Sequence, residues 1–353
     1  MHRLQDLSRR QAIIAGVLAL ALAVPFAASV ARAAHVGWLP SGDDALIGLR
    51  TRDVFSTDPP LVGQPSTSHL YGPDQGTSHP GPIEFYWLAV PLRAFGPSIG
   101  MIVGILAVNV ASVAVACWVV LRRAGPAVAA WSMVLASFVL WSEGSAVLTD
   151  PISSNAGGIA LLALAALAWA VADGDVRLAP LGALFASWVL QQHLAIVAPA
   201  AALVALAVVA VAASGAKQCW LRRRRPAAAS ARRRRWPWLA AAVVVGLVCW
   251  APVLWQQATG DPGNLTAVAD YARTSEVVKL GPVAGIRQAA RSVGVPPLLV
   301  RSDLEGDDFF AGPLSPLEVT VAVATAAALV LSLIHISEPT RPLYISYAVF
   351  CLK

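Results

Sequence analysis

Apolar residues in this chain come in long unbroken blocks. Such blocks run over residues 11–30, 99–121, 127–147, 157–171, 178–193, 194–213 and 238–255, and another opens at 317–330. A helix needs about 20 apolar residues to cross the hydrocarbon of a bilayer. The pattern therefore predicts an all-α, polytopic integral membrane protein with about seven to eight transmembrane helices. The 11–30 block follows Arg9-Arg10 and precedes Ala31-Arg32-Ala33, as a signal peptide would, but it exceeds the usual 7–15 residue apolar core, so an uncleaved anchor is expected.

Basic residues mark the cytoplasmic side of short loops. The clusters are Arg3, Arg9 and Arg10; Arg122 and Arg123; Arg177; and Lys217 with Arg222–Arg225 and Arg232–Arg235. An even number of blocks separates each cluster from the next. This sets the N-terminus in the cytoplasm and two long loops, 31–98 and 256–316, outside. A further apolar stretch at 84–95 would break the parity if it crossed. It is short and carries Arg93, so it reads as an interfacial helix anchored by Phe85, Tyr86 and Trp87.

Composition agrees. Of 353 residues, 57% are hydrophobic and 13% charged, against about 25% charged in soluble domains. Mean hydropathy is +0.64. Four scattered cysteines make neither a disulfide framework nor a zinc site. The arginine runs suit anionic lipid at the cytoplasmic face, not nucleic acid.

The C-terminal text has a different character. Leu331 to Arg341 (LSLIHISEPTR) and Ile345 to Lys353 (ISYAVFCLK) resemble in-frame translations of the two ends of a transposon-type sequencing adapter. Pro342 to Tyr344 fall where an index barcode sits. Residues 1–330 are thus expected to be one transmembrane domain, cut short, and 331–353 an artefact.

Candidate chemistry lies in the outside loops. Asp43-Asp44 open a short helix containing Leu46, Ile47 and Leu49. Adjacent carboxylates supply a general base or hold a divalent cation. The competing reading is helix capping by Ser41 or Asp43, with Asp44 in the first turn. His79-Pro80-Gly81-Pro82 fixes a turn that holds His79 at the membrane surface, where it can bond a phosphate or relay a proton. Arg50, Arg52 and Arg93 can grip a lipid phosphate; alternatively the first two pair with Asp53 or Asp43. Asp150 reads as a turn residue or a site residue. His193 follows Gln191 and Gln192 at the end of a span, where polar groups are functional candidates. Asp261-Pro262-Gly263-Asn264 is a turn signal, and Asn264-Leu265-Thr266 fits a glycosylation sequon.

Taken together, Asp43-Asp44, Arg50-Thr51-Arg52-Asp53-Val54, Pro60-Leu61-Val62-Gly63, His79-Pro80-Gly81-Pro82, Leu148-Thr149-Asp150-Pro151, Gln191-Gln192-His193-Leu194 and Gly260-Asp261-Pro262-Gly263-Asn264-Leu265 resemble the GT-C glycosyltransferase superfamily. The resemblance is to its polytopic members in high-GC bacteria, and more distantly to protein mannosyltransferases and the lipid A aminoarabinose transferase. It implies a plasma-membrane enzyme that moves a sugar from a polyprenyl-phosphate donor to an envelope acceptor on the outer face. It also implies a first-loop aspartate, Asp44 or Asp43, as base. That family often has Asp-Glu at the first motif and His-Pro-Pro or Lys-Pro-Pro at the second. A transporter or flippase of a lipid-linked substrate, or a non-catalytic envelope-assembly protein, are the rival classes.

Overall fold

The computed structural model describes residues 9–66, 76–222 and 235–274, with isolated positions beyond. The chain divides into two compact units, Met1–Val277 and Val278–Lys353. The elements below belong to the first. The expected span at 317–330, the second outside loop past Thr274, most of the two arginine runs and the 331–353 tail lie wholly or largely outside the described residues.

The helices are α1 (Arg9–His35), α2 (Asp43–Asp53), α3 (Ile83–Phe95), α4 (Pro97–Ala124), α5 (Pro126–Glu143), α6 (Ser153–Ala156), α7 (Ala160–Ala172), α8 (Ala179–Gln191), α9 (Leu194–Arg222), α10 (Trp236–Thr259) and α11 (Asn264–Thr274). Five stretches are long and apolar enough to cross a membrane: Ile13–His35, Pro97–Ala124, Ser153–Ala172, Leu194–Gly215 and Trp236–Thr259. Two shorter apolar helices, Pro126–Trp141 and Val176–Gln191, stand where the spans at 127–147 and 178–193 are expected. The protein is an all-α, multi-pass membrane protein. Among the described residues, β pairing is limited to an isolated antiparallel bridge between Pro65 and Ser78.

Glycines set the main departures from the apolar blocks. The block expected over 127–147 is helical only to Glu143, because Gly144 turns into the left-handed region with φ 84°. Gly96, φ 82°, reverses the chain between α3 and α4 so that α3 folds back along α4. A Cβ at Gly100 would overlap the Pro91 carbonyl, and one at Gly104 the Leu88 side chain. Small residues four apart thus let the two helices approach closely, as in membrane helix pairs. One face of α3, including Phe85, Leu88 and Leu92, is buried with Ile47 of α2 and Met101 and Ile105 of α4. Phe85 is therefore a core residue and not an interfacial anchor, while Tyr86 and Trp87 remain 38% and 47% exposed.

The ends of the bundle differ in chemistry. At one end, Arg123 pairs with Asp173, and Arg122 with Asp175 at 3.5 Å. The C-terminus of α4 and the α7–α8 connection therefore share an end, as the even-crossing rule requires. The other end gathers α2, the turn before α3, the α5–α6 connection, the α8–α9 turn and α11.

Candidate functional site

Asp44 stands on the buried stripe of α2 with Ile47, Gly48 and Thr51, a spacing that lines one helix face. Gly48 is needed there because Met101 Sδ lies 3.3 Å from where its Cβ would be. The capping reading holds only in part: Asp44 does lie in the first turn of α2, but neither Ser41 nor Asp43 is the cap. Gly42, φ 54°, occupies the cap position without any side-chain capping bond, and Asp43 is the first helical residue. Asp43 remains exposed while Asp44 is only 9% exposed.

Asp150 comes to Asp44 from the α5–α6 connection. That segment is pinned by buried polar residues. Ser29 of α1 donates to Ser145 O at 2.6 Å and sits 3.0 Å from Thr149 Oγ1, and Asn109 of α4 donates to Leu148 O at 3.0 Å. Asp150 has a turn role as well: its Oδ1 accepts from Ile152 N–H and its Oδ2 from Asn155, each at 3.0 Å. It also shares a hydrogen bond with Asp44. Burial, then the Asp150 charge and hydrogen bond, then Asp43, push the Asp44 carboxyl up to about 7.

Glu84, in the first turn of α3, is 3% exposed. Burial foremost, with Asp150 and Asp44 adding to it, holds Glu84 protonated well above the usual carboxylate range. Three buried polar atoms here have no hydrogen-bond partner among the described residues: Asp44 Oδ1, Glu84 Oε1 and His79 Nδ1.

His79 is fixed through its backbone. Its N–H donates to Gln64 O at 2.8 Å, and its O accepts from Gly63 N–H at 3.1 Å. Gln64 Oε1 accepts from Ser153 at 3.0 Å, which ties this loop to α6. Asn264, at the start of α11, accepts from Ser78 N–H at 2.9 Å and donates to Ser78 O at 3.1 Å. The sequon asparagine is thus buried and holds the histidine loop. The His79 ring lies 4.7 Å from that of His193, centroid to centroid. Burial, reinforced by His193 and opposed by Asp43, lowers His79 to about 4. Both rings are neutral at physiological pH, since burial lowers His193 too. His193 Nδ1 accepts from Ala195 N–H at 3.2 Å.

Gln191 joins the pieces. Its Oε1 accepts from Ile83 N–H at 3.2 Å, its backbone O from Gly81 N–H at 3.3 Å, and its Nε2 donates to Cys249 O on α10 at 2.9 Å. Gly81 is required because a Cβ there would run into the Gln191 side chain.

The arginines stand apart from the carboxylates. Arg50 pairs with Asp53 at 2.9 Å, which is the pairing alternative. Arg93 stacks over Phe55, 4.4 Å from the ring centroid, and Arg52 is exposed. Arg50 lies six residues beyond Asp44, about 9 Å along the helix axis. Glu84 is not among the residues the sequence singles out, since it lacks helical pair spacing to Arg93; the charges that act on it are those of Asp150 and Asp44. Ser29, Gln64, Asn109 and Ser153 had no sequence signal beyond being polar residues in or beside apolar text.

Among the described residues, no three His, Cys, Asp or Glu side chains have an arrangement that could hold a metal ion. No protein-family model, curated protein or solved structure matches the chain.

Proposed function

We propose that this protein is a membrane glycosyltransferase of GT-C type, acting at the outer face of a bacterial plasma membrane on a polyprenyl-phosphate sugar donor. The observation that carries the reading is Asp44: a buried carboxyl with one unpartnered oxygen, facing Asp150 and Glu84, pushed up to about 7. A general base works best when its pKa lies near the working pH.

In this reading Asp44, ionised, takes the proton from the acceptor hydroxyl as that oxygen attacks C1 of the donor sugar. The bond between C1 and the donor phosphate oxygen breaks, and the electron pair leaves with the polyprenyl phosphate. Glu84 stays a neutral acid, and Asp150 helps to hold the Asp44 carboxyl up. Neutral His79 offers a hydrogen bond to the acceptor or the phosphate, with His193 behind it. Arg50, Arg52 and Arg93, on the rim of α2 and α3, meet the phosphate after exchange from Asp53 and Phe55.

The full chain in lipid vesicles with a radiolabelled polyprenyl-phosphate sugar tests this. Transfer of label to a water-soluble or lipid acceptor supports the reading. Movement of intact donor between leaflets would make the protein a flippase, and neither event would leave it a non-catalytic assembly protein.

A further inference from the structure

A serine inside an apolar helix commonly donates to a carbonyl one turn back in the same helix. Ser112 does so to Val108 O at 2.7 Å, Ser132 to Val128 O at 2.9 Å and Ser137 to Met133 O at 2.9 Å. Ser29 departs from this. It is fully buried on α1, and its hydroxyl crosses to the α5–α6 connection, to Ser145 O at 2.6 Å and Thr149 Oγ1 at 3.0 Å. Asn109, buried near the middle of the α4 span, reaches the same connection through Leu148 O at 3.0 Å. Polar side chains at membrane depth are costly and mark function by default.

The connection has a use for them. α5 stops at Gly144, and a single 3-10 turn, Val147–Thr149, precedes α6. Carbonyls in so irregular a segment lack a helical ladder and must find other donors. Leu148 adds an apolar anchor, buried with Phe26 of α1, Val113 of α4 and Leu140 of α5. Asp150 follows two residues later. Among the acids that act on Asp44, Asp43 shares its helix, whereas Asp150 arrives on this non-helical connection. Glu84 rides on α3, and His79 and His193 belong to other loops. Of the cations on α2 and α3, Arg50 is paired with Asp53, Arg93 lies over Phe55 and Arg52 is exposed.

We infer that Ser29 and Asn109 are positioning residues, which hold the α5–α6 connection from inside the bundle so that the Asp150 carboxyl meets Asp44. Through them the membrane helices α1 and α4 govern how readily Asp44 exchanges a proton. Their bearing on sugar transfer rests on the reading of Asp44 as the base; the placement of Asp150 does not.

The test is an infrared titration of the full chain in lipid nanodiscs, with no donor present. The carbonyl stretch of the protonated Asp44 carboxyl is the band lost in Asp44→Asn, and its wild-type midpoint is expected at about 7. In Asn109→Leu, Leu148 O loses its donor, the connection shifts and the Asp150 charge withdraws. The midpoint should fall by about one pH unit, a tenfold change in proton affinity. Ser29→Ala should act in the same direction and carries the test should Asn109→Leu not insert. In an Asp150→Asn background neither substitution should move the midpoint, because the charge they position is gone. Unmoved midpoints in the inserted variants overturn the inference, since Asp150 would then be placed by its bonds to Ile152 and Asn155 alone. A shift that persists undiminished in the Asp150→Asn background overturns it too. Failure of the transferase reading shows separately, as no transfer of label in vesicles while the midpoints still shift.

Discussion

Asp44 of α2 and Asp150 of the α5–α6 connection share one hydrogen bond across two segments far apart in sequence. Burial foremost, with the Asp150 charge and hydrogen bond adding to it, makes ionisation of Asp44 costly and pushes its carboxyl up to about 7. Asp44 is therefore poised to exchange a proton near neutral pH. This relationship sets the pH behaviour of the site.

Transfer activity is expected to rise with pH through an apparent pKa near 7, as Asp44 loses its proton. In Asp150→Asn the neighbouring charge is gone and the ionised form of Asp44 is easier to reach. Its profile should move to lower pH. A kcat/KM profile measured for both proteins checks this; coincident profiles would disconnect Asp150 from the reaction.

Stability should carry opposite signatures from Asp44 and His79. The folded-state pKa of Asp44 is raised, so the folded state holds the extra proton. Its contribution is greatest at acidic pH and is lost as pH rises from about 4 to about 7. Asp44→Asn is thus expected to have a higher Tm than wild type at pH 8 and little change at pH 4. The folded-state pKa of His79 is lowered from 6.5 to about 4. Its contribution is full above 6.5 and lost as pH falls towards 4. His79→Gln should flatten that acid limb in thermal unfolding followed by circular dichroism.

Gly81→Ala should damage the site without touching a charged group. The new Cβ meets the Gln191 side chain, which ties α3, α8 and α10 together. Displacing Gln191 leaves buried polar groups unpaired, at about 1–3 kcal/mol each. A fall in Tm with loss of activity is expected.

Asn264→Ala should loosen the His79 loop while the protein still inserts. Ser78 N–H loses its acceptor and Ser78 O a donor. Activity should fall by at least tenfold, and protease sensitivity of the loop should rise, with membrane yield unchanged.

Much of the fold was legible because hydrocarbon thickness and apolar block length are the same measurement. The places of the five long apolar helices and the two shorter ones followed from that, as did the common end shared by Arg122, Arg123 and the α7–α8 connection. Helix ends were less legible where a single glycine decided them, as Gly144 and Gly42 did. The site was legible in pieces. Asp44, His79, Asp150 and His193 stood out because each is polar and lies beside a turn signal. Their meeting was not, since it depends on which ends of the bundle come together. Glu84 was overlooked for that reason: spacing along one helix says nothing about a carboxylate arriving from a distant loop. Arg50 shows the converse, a local pair with Asp53 readable from three-residue spacing alone.

The most direct test compares wild type with Asp44→Asn at pH 7.5, in matched vesicles, for transfer of label from a polyprenyl-phosphate sugar. General-base catalysis is worth about 10²–10⁴-fold, so a loss of at least 100-fold with normal insertion and folding is predicted. Equal rates in the two proteins would contradict the central claim that Asp44 is the base of a glycosyl transfer.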